Sequence, residues 1–215
     1  MLDLPFAPGE APYRVKGNAY LGHYAYLESH YPGGEAAHHA ALEQLHPVRG
    51  PKLRDFFEQK FLASAWYDVF PLATAGIAFS AAVKLPYIDY IRKRSDAQAE
   101  LDVTGVHRLL LRFVSPKKVT TRAPAIVGQY FDFASVESQM HGPEHFTCYV
   151  RGVPLALGPW YATVLESYLH TVLRYCGVSN PAVRCVRYEP SAAQTPLPEV
   201  TLHIEVRMGS ARAAG

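Results

Sequence analysis

Near residue 133 the hydrophobic period of the chain drops from that of a helix to that of a strand, and this limits the folds open to it. Upstream, apolar residues recur at intervals of three and four. Beyond it, Phe133 to Met140 and His145 to Arg151 alternate around a Gly142-Pro143 turn, and "AVRCVRYEP" and "EVTLHIEVRM" alternate again. Between these pairs "GPWYATVLESYLHTVLRYCG" has helical spacing, with Pro159 at its first turn and Gly177 just past its end. Helices, hairpin, helix, hairpin is the order of an α+β fold with an antiparallel sheet of about four strands.

The helical half reads as a series. Tyr20, Tyr24, Leu27 and Tyr31 form one stripe on a helix from Val15 to Tyr31, stopped by "YPGGE". Glu35 to Leu45 follows, ended by "HPVRGP", and Pro51 opens "PKLRDFFEQKFL". "SAWYDVFPLATAGIAFSAAVKLP" is apolar all round and reads as a central helix, and Pro86 begins a fifth through "YIDYIRKRS". Two more are expected, one in "ELDVTGVHRLLLRFVSPKK" and a short one in "KKVTTRAPAIVGQYFD". The expected organisation is an arm over residues 1–14, one α+β domain over 15–208 and a disordered tail over 209–215.

Charge is nearly balanced, 21 basic against 19 acidic residues, and scattered, so no footprint for a nucleic-acid backbone exists. The cysteines Cys148, Cys176 and Cys185 are odd in number and form no C-x-x-C pair, which fits a reducing, cytoplasmic setting. No signal-peptide pattern opens the chain. Its most apolar run, Val69 to Val83, is shorter than the roughly 20 residues that span a bilayer, so no membrane span is expected.

"HGPEHFTCYVRG" gathers two histidines, a glutamate and a cysteine, and raises the question of a metal site. Alternation answers most of it: if Phe146, Cys148 and Val150 face the core, then His145, Thr147, Tyr149 and Arg151 face out. Only His141 and His145 remain to meet across the turn, too few for a closed site, and the stretch reads first as a hairpin. His38 and His39 point about 100° apart on a helix and read as solvated. "RKRS" with Lys117 and Lys118 offers an anion cradle or, more simply, a solvated helix end. Glu144 and Glu166 are isolated carboxylates. No G-x-S-x-G, H-E-x-x-H, G-x-G-x-x-G or P-loop is present, so the expectation is a protein that is not an enzyme.

The lead-in Val15-Lys16-Gly17 of "VKGNAYLGHYAYLESHY", the Trp66-Tyr67 pair of "FLASAWYDVFPL" and "TCYVRGVP" before the long helix carry a likeness. The chain resembles an uncharacterised myxobacterial family, itself similar in fold to 4-vinyl-reductase-type ligand-binding domains. The wider superfamily includes haem nitric-oxide/oxygen sensor domains and the small subunits of TRAPP tethering complexes. The resemblance implies a sensory or adaptor domain, often dimeric. It also implies that haem is the cofactor to test, with His107 where such sensors place the axial ligand. Those sensors anchor the porphyrin carboxylates through Tyr-x-Ser-x-Arg; across Thr147 to Arg151 the arginine alone matches. The expectation is therefore no resident cofactor.

Three functions are carried forward. The first is a cytoplasmic, non-catalytic signalling domain that takes a small apolar ligand in a pocket lined by Tyr24, Trp66, Phe70, Phe79 and Trp160. The plainer reading of those aromatics is core. The second is an interaction subunit without ligand, pairing with a protein partner or as a homodimer through the tyrosine stripe of the first helix. The third is a haem-based gas sensor using His107 and Arg151.

Overall fold

In a computed structural model the chain is described over residues 5–49, 51–104 and 125–209. It divides into two compact units, Met1–Arg94 with Gln129–Phe133, and Ser95–Gly128 with Ala134–Gly215. The first holds β1 (Arg14–Lys16), α1 (Gly17–His30), α2 (Gly34–Arg49), α3 (Pro51–Glu58), β2 (Trp66–Asp68) and α4 (Val69–Ala82). α5 (Tyr87–Thr104) begins in this unit and ends in the second. Residues 125–130 are also helical.

Three expectations for the helical half are corrected. The central helix does not start at Ser64: Trp66, Tyr67 and Asp68 are extended and pair antiparallel with β1, Val15 opposite Tyr67. The reason lies in Asp68. Its Oδ1 caps α4 by accepting the Phe70 N–H at 2.9 Å, and its Oδ2 accepts the Gly9 N–H at 3.0 Å and the Ala11 N–H at 3.4 Å. A capping residue must itself be extended, so the helix cannot reach upstream of it. α2 runs past Pro47 to Arg49, so the proline falls in the last turn, where little helix is left for it to disrupt. The fifth helix does not stop at Ser95 but continues to Thr104, and all of "VHRLLLRF" lies outside the described residues.

Aromatic packing fills this unit. Tyr20 stacks on Phe61 with ring centroids 4.3 Å apart, while Phe56, Phe57 and Tyr67 meet it edge-on or tilted. Of the α1 stripe, Tyr20 and Leu27 are buried, while Tyr24 and Tyr31 are half-buried.

In the second unit β3 (Ser135–Gly142), β4 (His145–Pro154), β5 (Ala182–Pro190) and β6 (Glu199–Arg207) form one antiparallel sheet in the order β3-β4-β6-β5. The expected α+β class and four-stranded sheet are both present, with the small β1-β2 sheet added. α6 (Gly158–Tyr175) packs against β4, β5 and β6. It starts with Pro159 in its first turn and ends before Gly177, whose φ of 89° suits glycine. Phe146, Cys148, Val150, Leu202, Ile204 and Val206 form the sealed face of the sheet. Among the described residues no single helix is long and apolar enough to cross a membrane.

The part of α5 that belongs to this unit meets α6 through polar pairs as well as apolar ones. Asp102 accepts from the Tyr168 hydroxyl at 2.8 Å and from Gln98 at 3.0 Å, and Thr171 donates to Asp96 at 2.8 Å. Ala99, Val103, Tyr168 and Val172 close around them.

Candidate functional site

The other face of the sheet is polar, and β4 sets its chemistry. With Phe146, Cys148 and Val150 turned to the core, Thr147, Tyr149 and Arg151 share the opposite face at alternate positions. They present two hydroxyls and a guanidinium in a row. Each is met by one residue of β3 on a diagonal. The Thr147 hydroxyl lies 2.9 Å from His141 Nε2, the Tyr149 hydroxyl donates to Gln139 Oε1 at 2.9 Å, and Arg151 donates to Glu137 Oε2 at 2.6 Å. In the register Gln139 sits opposite Thr147 and Glu137 opposite Tyr149, so every contact steps by one pair along the strand.

Histidine-carboxylate pairs between β4 and β6 and between β6 and β5 continue this face. His145 Nε2 lies 2.9 Å from Glu205 Oε1, and His203 Nε2 lies 2.8 Å from Glu189 Oε2. Glu205 also accepts from Arg207, whose guanidinium holds the carboxyl below the usual range. Arg151 is half exposed, whereas Thr147 is buried, so the row runs from an enclosed hydroxyl to an accessible cation.

The residues singled out for metal do approach each other: the His141 and His145 rings lie 4.8 Å apart. The Nε2 atoms are directed elsewhere, to Thr147 and Glu205. Among the described residues no three histidines, cysteines or carboxylates are grouped to hold an ion. Cys148 is 1% exposed and contacts Ser138; burial pushes its thiol pKa up, as befits a small core group. Glu166, read from sequence as an isolated carboxylate, is half-buried and has a partner. It accepts the Cys185 backbone N–H at 2.7 Å and so ties α6 to the edge strand β5.

Of the pocket residues, Trp160 belongs to the second unit and is buried. The other four belong to the first. Phe70 and Phe79 are sealed in its core, Trp66 lies under the Lys16 ammonium at 3.8 Å from the ring centroid, and Tyr24 packs edge-on against His38 at 4.0 Å. The Tyr24 hydroxyl and His38 Nε2 are both buried without a hydrogen-bond partner. Burial lowers the His38 pKa to about 4, with His39 adding to the effect, so this imidazole is neutral at physiological pH. A cleft of about 400 Å³ opens between α2 and α3, lined by His38, Leu42, Glu43, Leu53, Arg54 and Phe57 among others. Of the five expected lining residues none is in it.

His107, the axial-ligand candidate, lies outside the described residues. Alternation alone puts Thr147, Tyr149 and Arg151 on one face; what sequence reasoning missed is the set of β3 partners they meet, because the register that brings His141, Gln139 and Glu137 to them has no local mark.

Comparison with known proteins supports the fold. No family model matches the chain, and no curated protein does. Solved structures do. The oxygen complex of an oxygen-binding H-NOX domain related to soluble guanylate cyclases superposes with a TM-score of 0.64, at 7% identity, covering 91% of this chain and 96% of that one. The Fe(II) unliganded H-NOX protein from K. algicida gives 0.59 at 9% identity, covering 89% and 96%. A structure solved for work on haem redox potential and porphyrin distortion gives 0.60 at 7% identity, covering 89% and 99%. The chain therefore has the fold of H-NOX domains over most of its length. This corrects the expectation of no cofactor: solved structures that share the fold include ones solved for work on haem redox potential and on haem distortion in the H-NOX family.

Proposed function

We propose that the chain is a non-catalytic sensor domain whose cofactor is haem, held by its carboxylates on β4 and by His107 at the iron. The carrying observation is the row of Thr147, Tyr149 and Arg151 on one face of one strand. A guanidinium and two hydroxyls at successive same-face positions are the donors that a pair of carboxylates needs, and charge-assisted bonds from arginine are the strongest of them. The anchor of the sensors in the same superfamily is a hydroxyl, a hydroxyl and a guanidinium at the same spacing; here the large and small hydroxyl residues have exchanged places. The shared H-NOX fold supports the same reading.

Each residue has a distinct part. Arg151, the most accessible of the three, supplies the charge that selects a carboxylate over a neutral group. Tyr149 adds a second donor and, through its edge-on contact with His203 at 4.9 Å, is kept upright on the sheet. Thr147, enclosed and close to His141, sets the inner end of the row. Bound haem supplies an iron that can take a diatomic gas.

The test is an absorption titration of the purified chain with haemin. The expected result is a Soret band displaced from that of free haemin and saturating at one equivalent, lost in His107→Ala. A spectrum that stays that of free haemin at every ratio overturns the reading.

A further inference from the structure

The donors of the row are not waiting empty: each is occupied by a side chain of β3. This occupation is regular. His141, Gln139 and Glu137 lie at alternate positions of β3 and meet Thr147, Tyr149 and Arg151 in the same order, each on the same diagonal. Two of the three present oxygen acceptors as a ligand carboxylate does: Glu137 offers its carboxylate to the guanidinium and Gln139 its amide oxygen to the phenol, while His141 Nε2 pairs with the Thr147 hydroxyl.

We infer that β3 is a built-in competitor for the carboxylate site of β4, with Glu137 holding Arg151 in the place of an incoming carboxylate. This rests on the reading of β4 as a carboxylate anchor. A ligand carboxylate that takes the Nη1 donor of Arg151 displaces that of Glu137, which holds it at 2.6 Å. The exchange is feasible because the pair is solvated. Both side chains are more than half exposed, and exposed ion pairs are weak and easily broken. The function of the contact is to set how tightly a carboxylate ligand is held: strong enough to exclude stray anions, weak enough to yield. Glu137 is a positioning and selectivity residue in this scheme and touches no reacting atom.

The structure also says which ligands feel the competitor. Only a group that uses the guanidinium is affected. A ligand whose carboxylates are masked as esters gains nothing when Glu137 is neutralised.

The experiment compares the affinity of the full chain for haemin and for haemin dimethyl ester in wild type, Glu137→Gln, Arg151→Met and the double variant. Glu137 is exposed, so Glu137→Gln keeps the fold, which circular dichroism checks. The expected result is that Glu137→Gln tightens haemin by about three- to fivefold, leaves the ester unchanged, and has no effect once Arg151 is gone. An independent readout needs no haem: the Arg151 Nε–Hε resonance moves in Glu137→Gln and then responds to added acetate at lower concentration than in wild type. If Arg151→Met weakens haemin but Glu137→Gln changes nothing, the competitor is overturned and the anchor stands. Equal tightening for haemin and its ester also overturns it. If no form binds haemin, the anchor itself falls and the inference with it.

Discussion

His23 Nδ1 and the Tyr90 hydroxyl lie 2.9 Å apart, joining α1 to α5 inside the first unit where both side chains are buried. A neutral histidine in such a place needs its partner, because a buried ring nitrogen stripped of its hydrogen bond carries its full desolvation penalty. Arg94, one turn further along α5, donates to the Ala19 carbonyl at 2.7 Å, so two successive turns of α5 grip the same helix. Tyr90→Phe keeps the ring and removes only the hydroxyl. It is expected to cost about 1–3 kcal/mol in urea denaturation, and a midpoint equal to wild type contradicts the assignment.

Acid acts on the same region through His38. Its folded pKa of about 4 lies below the ordinary histidine value of 6.5, so between these values the unfolded chain takes up a proton that the native one declines. Stability that is complete above pH 6.5 is therefore lost as pH falls toward 4. Burial of His23, whose pKa is lowered first by desolvation and then by Arg94, adds in the same direction. His38 is only partly shielded, so its own share is about 1–2 kcal/mol after screening. Denaturation midpoints measured across this range are expected to fall less steeply in His38→Gln than in wild type; parallel curves contradict the prediction.

The second unit was the more legible from sequence, and the reason is geometric. A strand has a period of two, so fixing Phe146, Cys148 and Val150 as core fixed the face of Thr147, Tyr149 and Arg151 without further information. α6 was bounded equally well because Pro159 and Gly177 act through backbone geometry alone. Tertiary partners had no such local mark. The Trp66–Asp68 strand exists because Asp68 caps α4 while reaching Gly9 and Ala11 nearly sixty positions away. The β3 partners of the donor row depend on a diagonal register that alternation does not specify.

Gly17 ends the Val15-Lys16-Gly17 lead-in for a steric reason. A Cβ there would stand 2.1 Å from the Leu62 carbonyl oxygen and 2.8 Å from the Tyr67 ring, and the Gly17 N–H already donates to Ala65. Backbone cannot yield as a flexible side chain does, so Gly17→Ala is expected to destabilise by about 3 kcal/mol. Gly128 is the control. It is helical and exposed with open space around it, and Gly128→Ala is expected to stabilise by about 0.5–1 kcal/mol. Thermal melts of the two variants should move in opposite directions; matching losses would show that the crowding at Gly17 is not what its position demands.

The central claim is that haem is held by its carboxylates on β4, and the rate at which haem leaves reads this most directly. Transfer from the loaded chain to excess apomyoglobin, followed by absorption, gives that rate for wild type and Arg151→Met. Loss of a charge-assisted hydrogen bond from a half-exposed arginine predicts transfer faster by about five- to tenfold in Arg151→Met. Identical rates in the two proteins would contradict the account.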